Sequence, residues 1–127
     1  MNQTPFFFIR TNRKYERIEL AELIYVECCR GYLKLVTDSR SWMVHASMAN
    51  AEQLIPSERF CRIHRSYMVA IDRVQSFDKD HVTIRESGSL KKLPIGQDRY
   101  KNALLEKVSA IGEPPVRVVL KAMAVVG

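Results

Sequence analysis

Short apolar runs separated by turn residues constrain the fold of this chain more than any other feature of its sequence. The clearest case is the pair LIYVECC and YLKLVT, which stand on either side of Arg30 and Gly31. Glycine readily adopts the positive φ of a tight hairpin turn, and the second run alternates, with Leu33 and Leu35 on one side and Lys34 on the other. The pattern predicts a β-hairpin, and its repetition along the chain predicts a mostly-β domain.

The same signals recur on both sides of this hairpin. The apolar run FFFI and the polar run TNRKYER predict an opening hairpin that turns at Asn12 and Arg13. Further strands are predicted at WMVHA, VQSFD, HVTIRE and LKKLPI, because each is short, rich in β-formers and bounded by turn residues.

Two stretches follow a helical period instead. Ser47 is a candidate N-cap for a short helix that ends before Pro56, and Asp98 is a candidate N-cap for a final helix that ends at Gly112. The last run, EPPVRVVLKAMAVVG, shows no pairing pattern. We therefore expect a mostly-β domain over residues 1–112, with about nine or ten short strands and two short helices. Residues 113–127 form a C-terminal tail of unassigned structure.

A charged residue stands in the middle of the strand-like run FCRIHRSYMVAID. Read as one strand, the run places Arg65 at the centre of an apolar face, where desolvation costs several kcal/mol without a carboxylate partner. A bend there costs only about 1 kcal/mol for each ladder hydrogen bond that is lost. We therefore expect two strands, over 60–64 and 67–71, with Arg65 exposed between them. The alternative is that a distant carboxylate such as Glu27 pairs with Arg65.

Composition and charge limit the classes of function. At 127 residues, 46% hydrophobic and 27% charged, the chain fits one globular domain. Its apolar runs are too short to span a bilayer, and its N-terminus lacks the order of regions in a signal peptide, so we expect a cytoplasmic protein without a membrane segment. The formal net charge of +6 favours an anionic partner without choosing among DNA, RNA and acidic lipid.

Residues that could carry catalysis or bind a metal do not form a working pattern. The three cysteines have no CxxC spacing, which indicates buried thiols in a reducing compartment rather than disulfide, redox or zinc chemistry. These are Cys28, Cys29 and Cys61. His64, Ser66 and Asp72 are the residue types of a hydrolase triad, but on one short segment their side chains could hardly converge. We expect no enzyme, metal or cofactor, and we interpret His64 and Ser66 as structural support of the bend.

Three predicted turns place long polar side chains at the ends of elements. They are the hairpin turn Arg30–Tyr32, the bend His64–Ser66 and the helix entrance Gln97–Arg99. Cations bind phosphates, and Arg, Gln and His can reach base edges, so this arrangement favours nucleic-acid binding. Two alternatives stay open: a single-stranded RNA binder that stacks bases on Tyr25, Tyr32 and Trp42, and a β-rich module that binds an acidic protein.

Five runs, in order between residues 6 and 111, match a known family. They are FIRTNRKYERIELAELIYVE, GYLKLVT, ASMANAEQLI, FCRIHRSYMVAID and LPIGQDRYKNAL, and the pattern F-R-HRSY-V is the most specific. In these runs the sequence resembles the LytTR DNA-binding domain of bacterial response regulators. The resemblance implies an elongated mostly-β domain of about ten short strands in small packed sheets with one or two short helices, from which loops enter successive major grooves. It also implies a sequence-specific transcription regulator that binds double-stranded DNA at paired direct repeats.

The resemblance further implies roles for individual residues. Base contacts fall on Arg30 and Tyr32, on Arg65 and on Gln97, where Gln97 could read adenine bidentately or neighbouring Arg99 could take its place. The candidates for phosphate contacts are Lys34, Arg62, Lys91, Lys92 and Lys101.

The resemblance also bears on assembly and on signal input. Paired repeats would hold two copies as a homodimer on DNA. Family members usually follow a phosphorylatable receiver domain or a membrane segment, and this sequence shows neither. The chain is therefore expected to be either a fragment of a two-component regulator in a histidine-kinase pathway or a free-standing regulator.

Overall fold

The computed structural model describes residues 6–112, which form ten strands and two helices. The strands are β1 (Phe6–Thr11), β2 (Lys14–Glu19), β3 (Leu23–Cys29), β4 (Tyr32–Thr37), β5 (Ser41–His45), β6 (Phe60–His64), β7 (Tyr67–Ala70), β8 (Val74–Phe77), β9 (His81–Glu86) and β10 (Ser89–Pro94). The helices are α1 (Met48–Leu54) and α2 (Asp98–Lys107), and single 3-10 turns precede β3 and β8. The mostly-β prediction is confirmed, and the tail over 113–127 lies outside the described residues.

The strands form three antiparallel sheets. One is the β1–β2 hairpin, one has the order β10–β9–β8, and the central sheet has the order β5–β4–β3–β7–β6. In the central sheet β3 is antiparallel to both β4 and β7. The β3–β4 turn and the β6–β7 turn therefore lie at the same end of this sheet.

Hairpin turns with left-handed backbone conformations separate the strands where the sequence predicted them. Asn12 and Arg13 have φ of 51° and 65°, and Arg30 and Gly31 have φ of 52° and 83°. Two consecutive residues with positive φ are typical of the turns whose twist matches that of the flanking strands. Both predicted hairpins are confirmed.

The central sheet is buried on both faces, because each face supports a separate core. The first core contains Ile9 and Ile18 of the β1–β2 hairpin and Met48 of α1. The second core contains Ile84 of β9 and Leu104 of α2. Successive strand residues point to opposite faces, so the two cores draw on alternate positions of the same strands and give them nearly continuous apolar sequences.

Helix α1 begins where the sequence indicated. The Ser47 hydroxyl accepts a hydrogen bond from the Asn50 main-chain N–H at 3.2 Å, and the Asn50 side chain accepts one from the Ser47 N–H at 2.8 Å. This reciprocal pair satisfies two N–H groups that a helix start otherwise leaves free. The predicted N-cap is confirmed, and the helix ends at Leu54, before Pro56.

Helix α2 differs from the prediction at both ends. Gln97, not Asp98, occupies the N-cap position, and it makes no side-chain capping bond. The helix ends at Lys107 rather than at Gly112, and Val108 is already extended. Val108 still packs against the second core, whereas Ile111 is fully exposed. The apolar period in the sequence continues beyond the last contact with the core, so it predicted too long a helix.

Candidate nucleic-acid interface

Three segments meet at one end of the domain through main-chain hydrogen bonds. The Cys28 N–H at the end of β3 donates to the Ser66 carbonyl in the β6–β7 turn at 2.8 Å. On the other side of that turn, the Gly96 N–H before α2 donates to the Ile63 carbonyl at 2.8 Å. We call the resulting row of segments, residues 29–32, 64–66 and 95–99, the loop edge. It joins the three turns that the sequence singled out.

The β6–β7 turn is the predicted bend, and its centre projects Arg65 into solvent. Arg65 is exposed. Glu27, the alternative partner considered for Arg65, instead accepts a hydrogen bond from the Tyr67 hydroxyl at 3.3 Å. The Nδ1 atom of His64 accepts a hydrogen bond from the Ser66 N–H at 3.0 Å. Ser66 thus takes part through its main-chain N–H and carbonyl. The His64 side chain satisfies a freed backbone group of the bend, a role that the sequence interpretation gave to Ser66 as well.

Arg62 lies beside this turn and donates three hydrogen bonds. Its Nε donates to the His64 carbonyl at 3.3 Å, and its Nη2 donates to the Arg65 carbonyl at 2.6 Å. Its Nη1 donates to the Glu52 carboxylate of α1 at 3.3 Å. Sequence reasoning proposed Arg62 as a phosphate contact, and that role stays a prediction. It did not find Glu52, because no local pattern links residues ten positions apart on a helix and a strand.

The β3–β4 turn presents Arg30 and Tyr32, both of which are exposed. The Tyr32 ring contacts the His45 ring edge-to-face with centroids 4.9 Å apart, and the Gly31 carbonyl accepts a hydrogen bond from the Ala46 N–H at 3.1 Å. These contacts hold the turn against the end of β5. The sequence analysis missed His45, although its position opposite Tyr32 follows from the strand register.

The entrance to α2 packs closely on the β6–β7 turn because residue 96 is glycine. A Cβ at Gly96 would lie 3.1 Å from Cδ2 of Tyr100 and 3.4 Å from Cδ2 of His64. Gln97 is exposed, and Arg99 donates from Nη2 to the Tyr100 hydroxyl at 2.8 Å. Gly96 was not among the predicted residues, since only the tertiary contact reveals its close approach.

The proposed phosphate contacts differ in how open they are. Lys91 and Lys92 are exposed, whereas Lys34 and Lys101 are half-buried. The Lys91 ammonium lies 5.4 Å from the centroid of the Tyr25 ring. A hydrogen bond to Tyr25 raises the pKa of Lys91 above its usual value, against the opposing effect of desolvation, so Lys91 stays charged. Lys92 is thus placed for an anion, and Lys91 already has a contact within the protein.

Aromatic side chains offer little surface for stacking bases. Tyr25 is only 1% exposed, and Trp42 packs against the first core while its Nε1–H donates to Glu16 at 3.3 Å. Tyr32 is 44% exposed, although its ring already contacts His45. Tyr25 is therefore a core residue and Trp42 is partly buried against the core, which weighs against the single-stranded RNA interpretation.

Within residues 6–112 the cysteines and the possible metal ligands do not form a further site. Cys61 is buried, and desolvation raises the pKa of its thiol. The expectation of buried thiols is wrong for Cys29, which is exposed at the end of β3, beyond the packed part of the sheet. Within residues 6–112 no group of three His, Cys, Asp or Glu side chains could hold a metal ion. None of the described helices is long and apolar enough to cross a membrane.

Comparison with known families decides what kind of domain this is. The family model described as the LytTr DNA-binding domain matches residues 13–108, about three quarters of the chain. The chain belongs to the LytTR DNA-binding domain family. The resemblance stated from the sequence is confirmed, and membership favours a binding domain over a catalytic one.

Two relatives extend this assignment of the LytTR domain. Over 81 residues the chain is 32% identical to the CO-responsive transcriptional regulator RcoM of Rhodospirillum rubrum. The alignment covers 64% of the chain and 32% of RcoM, so the chain spans about a third of the length of that relative. The fold matches the LytTr DNA-binding domain of a methyl-accepting/DNA response regulator from Bacillus cereus with a TM-score of 0.66, over 82% of the chain and 96% of that domain. Identity there is 14%, so this likeness shows the fold alone.

Proposed function

We propose that this LytTR domain is a transcription regulator that binds double-stranded DNA sequence-specifically and reads major-groove bases through the loop edge. The observation that carries the proposal is that two main-chain hydrogen bonds, Cys28 to Ser66 and Gly96 to Ile63, hold the three turns together at one end of the domain. Loops held on a sheet scaffold keep their side chains in fixed relative positions, as base readout requires.

The proposed roles follow the exposure of the side chains. Arg65 and Arg30 are exposed guanidinium groups at turn centres, suited to bidentate contacts with guanine. Gln97 offers the amide that pairs with adenine, and Arg99 is the alternative reader at this position. Of the cations proposed for phosphates, Lys91 and Lys92 are exposed, and Lys91 already lies near the Tyr25 ring. Phosphate contacts position a protein without specifying sequence.

We further propose that paired direct repeats hold two copies on DNA, and that a separate receiver domain or partner protein supplies the signal. RcoM, a transcriptional regulator that aligns over only 32% of its length, supports the second statement, since a domain of this kind occupies a part of a longer regulator there.

Selection of bound sites from a random duplex library tests the proposal, followed by affinity measurements on the selected site and on random duplex. A recovered direct repeat at a spacing of about one helical turn is expected. Arg65→Ala should weaken binding to the selected site by roughly 1 to 3 kcal/mol with less effect on random DNA. Lys92→Ala should weaken both and lower the salt dependence by about one charge.

Arg85→Ala is the matched control for charge. Arg85 lies on β9 near the turn at Ser87, which bonds to Asp38 between β4 and β5, at the end of the central sheet away from the loop edge. The Arg85→Ala variant should leave discrimination between selected and random DNA unchanged. A library that enriches no duplex, stronger binding to single strands, or equal effects of Arg65→Ala and Arg85→Ala would contradict the proposal.

A further inference from the structure

Two of the three hydrogen bonds that Arg62 donates go to main-chain carbonyls beside Arg65, and the third goes to the Glu52 carboxylate. Its Nε and Nη2 donate to the carbonyls of His64 and Arg65, which are consecutive residues. The side chain is 27% exposed, and its Nη1 meets the Glu52 carboxylate at 3.3 Å. Each of the three guanidinium nitrogens therefore donates to an acceptor within the protein, which uses three of the five N–H groups of the side chain.

These bonds hold both peptide groups that flank the Cα of Arg65. The His64 carbonyl belongs to the peptide before Arg65, and Arg62 Nε binds it. The peptide after Arg65 is held at both ends, since its carbonyl accepts from Arg62 Nη2 and its N–H, that of Ser66, donates to His64 Nδ1. The orientation of two consecutive peptide planes sets φ and ψ of the residue between them. Arg62 and His64 together therefore hold the two peptides that set the direction in which the Arg65 side chain leaves the backbone.

Glu52 fixes the other side of the guanidinium. It lies on α1, whose start is held by the capping pair Ser47 and Asn50. The planar guanidinium can bind two carbonyls and a carboxylate at once, whereas an ammonium lacks that fork geometry. The carboxylate also lowers the local positive potential, which makes this a poor place for phosphate.

We propose that Arg62, anchored by Glu52, is a positioning residue that aims Arg65 at its base and so contributes to sequence specificity without touching DNA. The inference rests on the proposed function, because it needs a base-reading Arg65. It replaces the phosphate contact expected for Arg62 with a different role.

Two variants separate the roles, each measured on the selected duplex, on random duplex and across a salt series. Arg62→Lys keeps the charge and loses the fork, so it should weaken selected-site binding roughly tenfold while random binding and the salt slope stay unchanged. Glu52→Ala removes the anchor and a negative charge. Glu52→Ala should weaken binding to the selected duplex roughly threefold. Binding to random duplex should not weaken, because removal of the carboxylate reduces the repulsion of DNA phosphates.

A phosphate-contacting Arg62 gives the opposite pattern, and that pattern would overturn the proposal. Arg62→Lys would then keep selected-site affinity, and Glu52→Ala would strengthen binding to both duplexes by freeing the guanidinium. Glu22→Ala, an exposed glutamate at the far end of the central sheet, is the charge control and should leave discrimination unchanged.

Two further readouts keep the outcomes distinct. Urea unfolding of each variant tests whether Arg62 merely stabilises the fold. If stability falls while discrimination between the selected and the random duplex is retained, the proposal is wrong. Wild-type protein that enriches no duplex contradicts the proposed function, and the positioning role falls with it. Wild-type specificity that survives Arg62→Lys and Glu52→Ala contradicts the positioning role alone.

Discussion

His64 links two segments of the loop edge, so its replacement tests whether this end of the domain is held together as described. Its Nδ1 accepts the Ser66 N–H at 3.0 Å, and its ring contacts the Tyr67 ring edge-to-face with centroids 5.6 Å apart. On its other side, the ring lies against Gly96 at the entrance to α2. His64→Phe keeps a ring of similar size and removes the acceptor, whereas His64→Ala removes both.

The expected cost of each variant follows from these contacts. His64→Phe deprives the half-buried Ser66 of its N–H partner, which costs about 1 to 2 kcal/mol. His64→Ala also loses the aromatic pair, worth roughly 0.5 to 1.5 kcal/mol, so its total cost is about 1.5 to 3.5 kcal/mol. In a domain of this size that corresponds to a fall in Tm of roughly 5 to 20 °C.

Urea unfolding measures the stability of each variant, and affinity for the selected duplex measures whether the β6–β7 turn keeps the conformation that binding needs. We expect both variants to weaken selected-site binding, because each frees the peptide that follows Arg65. His81→Ala changes an exposed histidine at the start of β9 and should alter stability by less than about 0.5 kcal/mol. If His64→Phe matches the wild type in both assays, the Nδ1 bond does not hold the turn.

Three other outcomes are expected. Leu104 lies on the fully buried side of α2, so Leu104→Ala should lower the free energy of unfolding in urea by about 2 to 5 kcal/mol. Leu54 on α1 is 58% exposed, so Leu54→Ala should cost well under half as much. Equal costs would refute the described docking of α2. Ser47→Ala should cost about 1 kcal/mol through loss of the N-cap, and an unchanged midpoint would contradict that cap. The Ser87 main-chain N–H, with help from an arginine, holds the pKa of Asp38 below its usual value. The ionised Asp38 carboxylate should therefore stabilise the fold fully above about pH 4, and this stabilisation should disappear as the pH falls through the lowered pKa. The difference in unfolding free energy between wild type and Asp38→Asn should then close in acid. A difference that does not change with pH would refute the linkage.

Local chemistry predicted those parts of the fold that depend on neighbouring residues. The left-handed turn at Arg30 and Gly31, the cap at Ser47 and the strand break around Arg65 all follow from propensity or from the cost of burying a charge. The C-terminal end of α2 did not follow, because Val108 and Ile111 fit the same period and only one of them meets the core.

The loop edge shows the same division. Exposed Arg65 could be predicted, since a guanidinium on an apolar face needs a partner or an exit to water. Its surroundings could not: the Arg62 bond to Glu52 joins a strand to a helix, and the close approach at Gly96 joins a loop to the β6–β7 turn. Such contacts depend on how elements pack, and sequence separation carries no information about them.

The sequence by itself determined that this chain is a mostly-β LytTR domain with polar residues at its turns, because period, turn chemistry and family motifs are local properties. Only the tertiary structure decided that three of those turns form one edge. Antiparallel pairing of β3 with both β4 and β7 brings two of the turns together, and the hydrogen bond from Gly96 to Ile63 adds the entrance to α2. The tertiary structure also decided which cations are open to an anion and which are occupied within the protein. Those outcomes depend on hydrogen bonds between residues distant in sequence, and these form only when the sheets have packed.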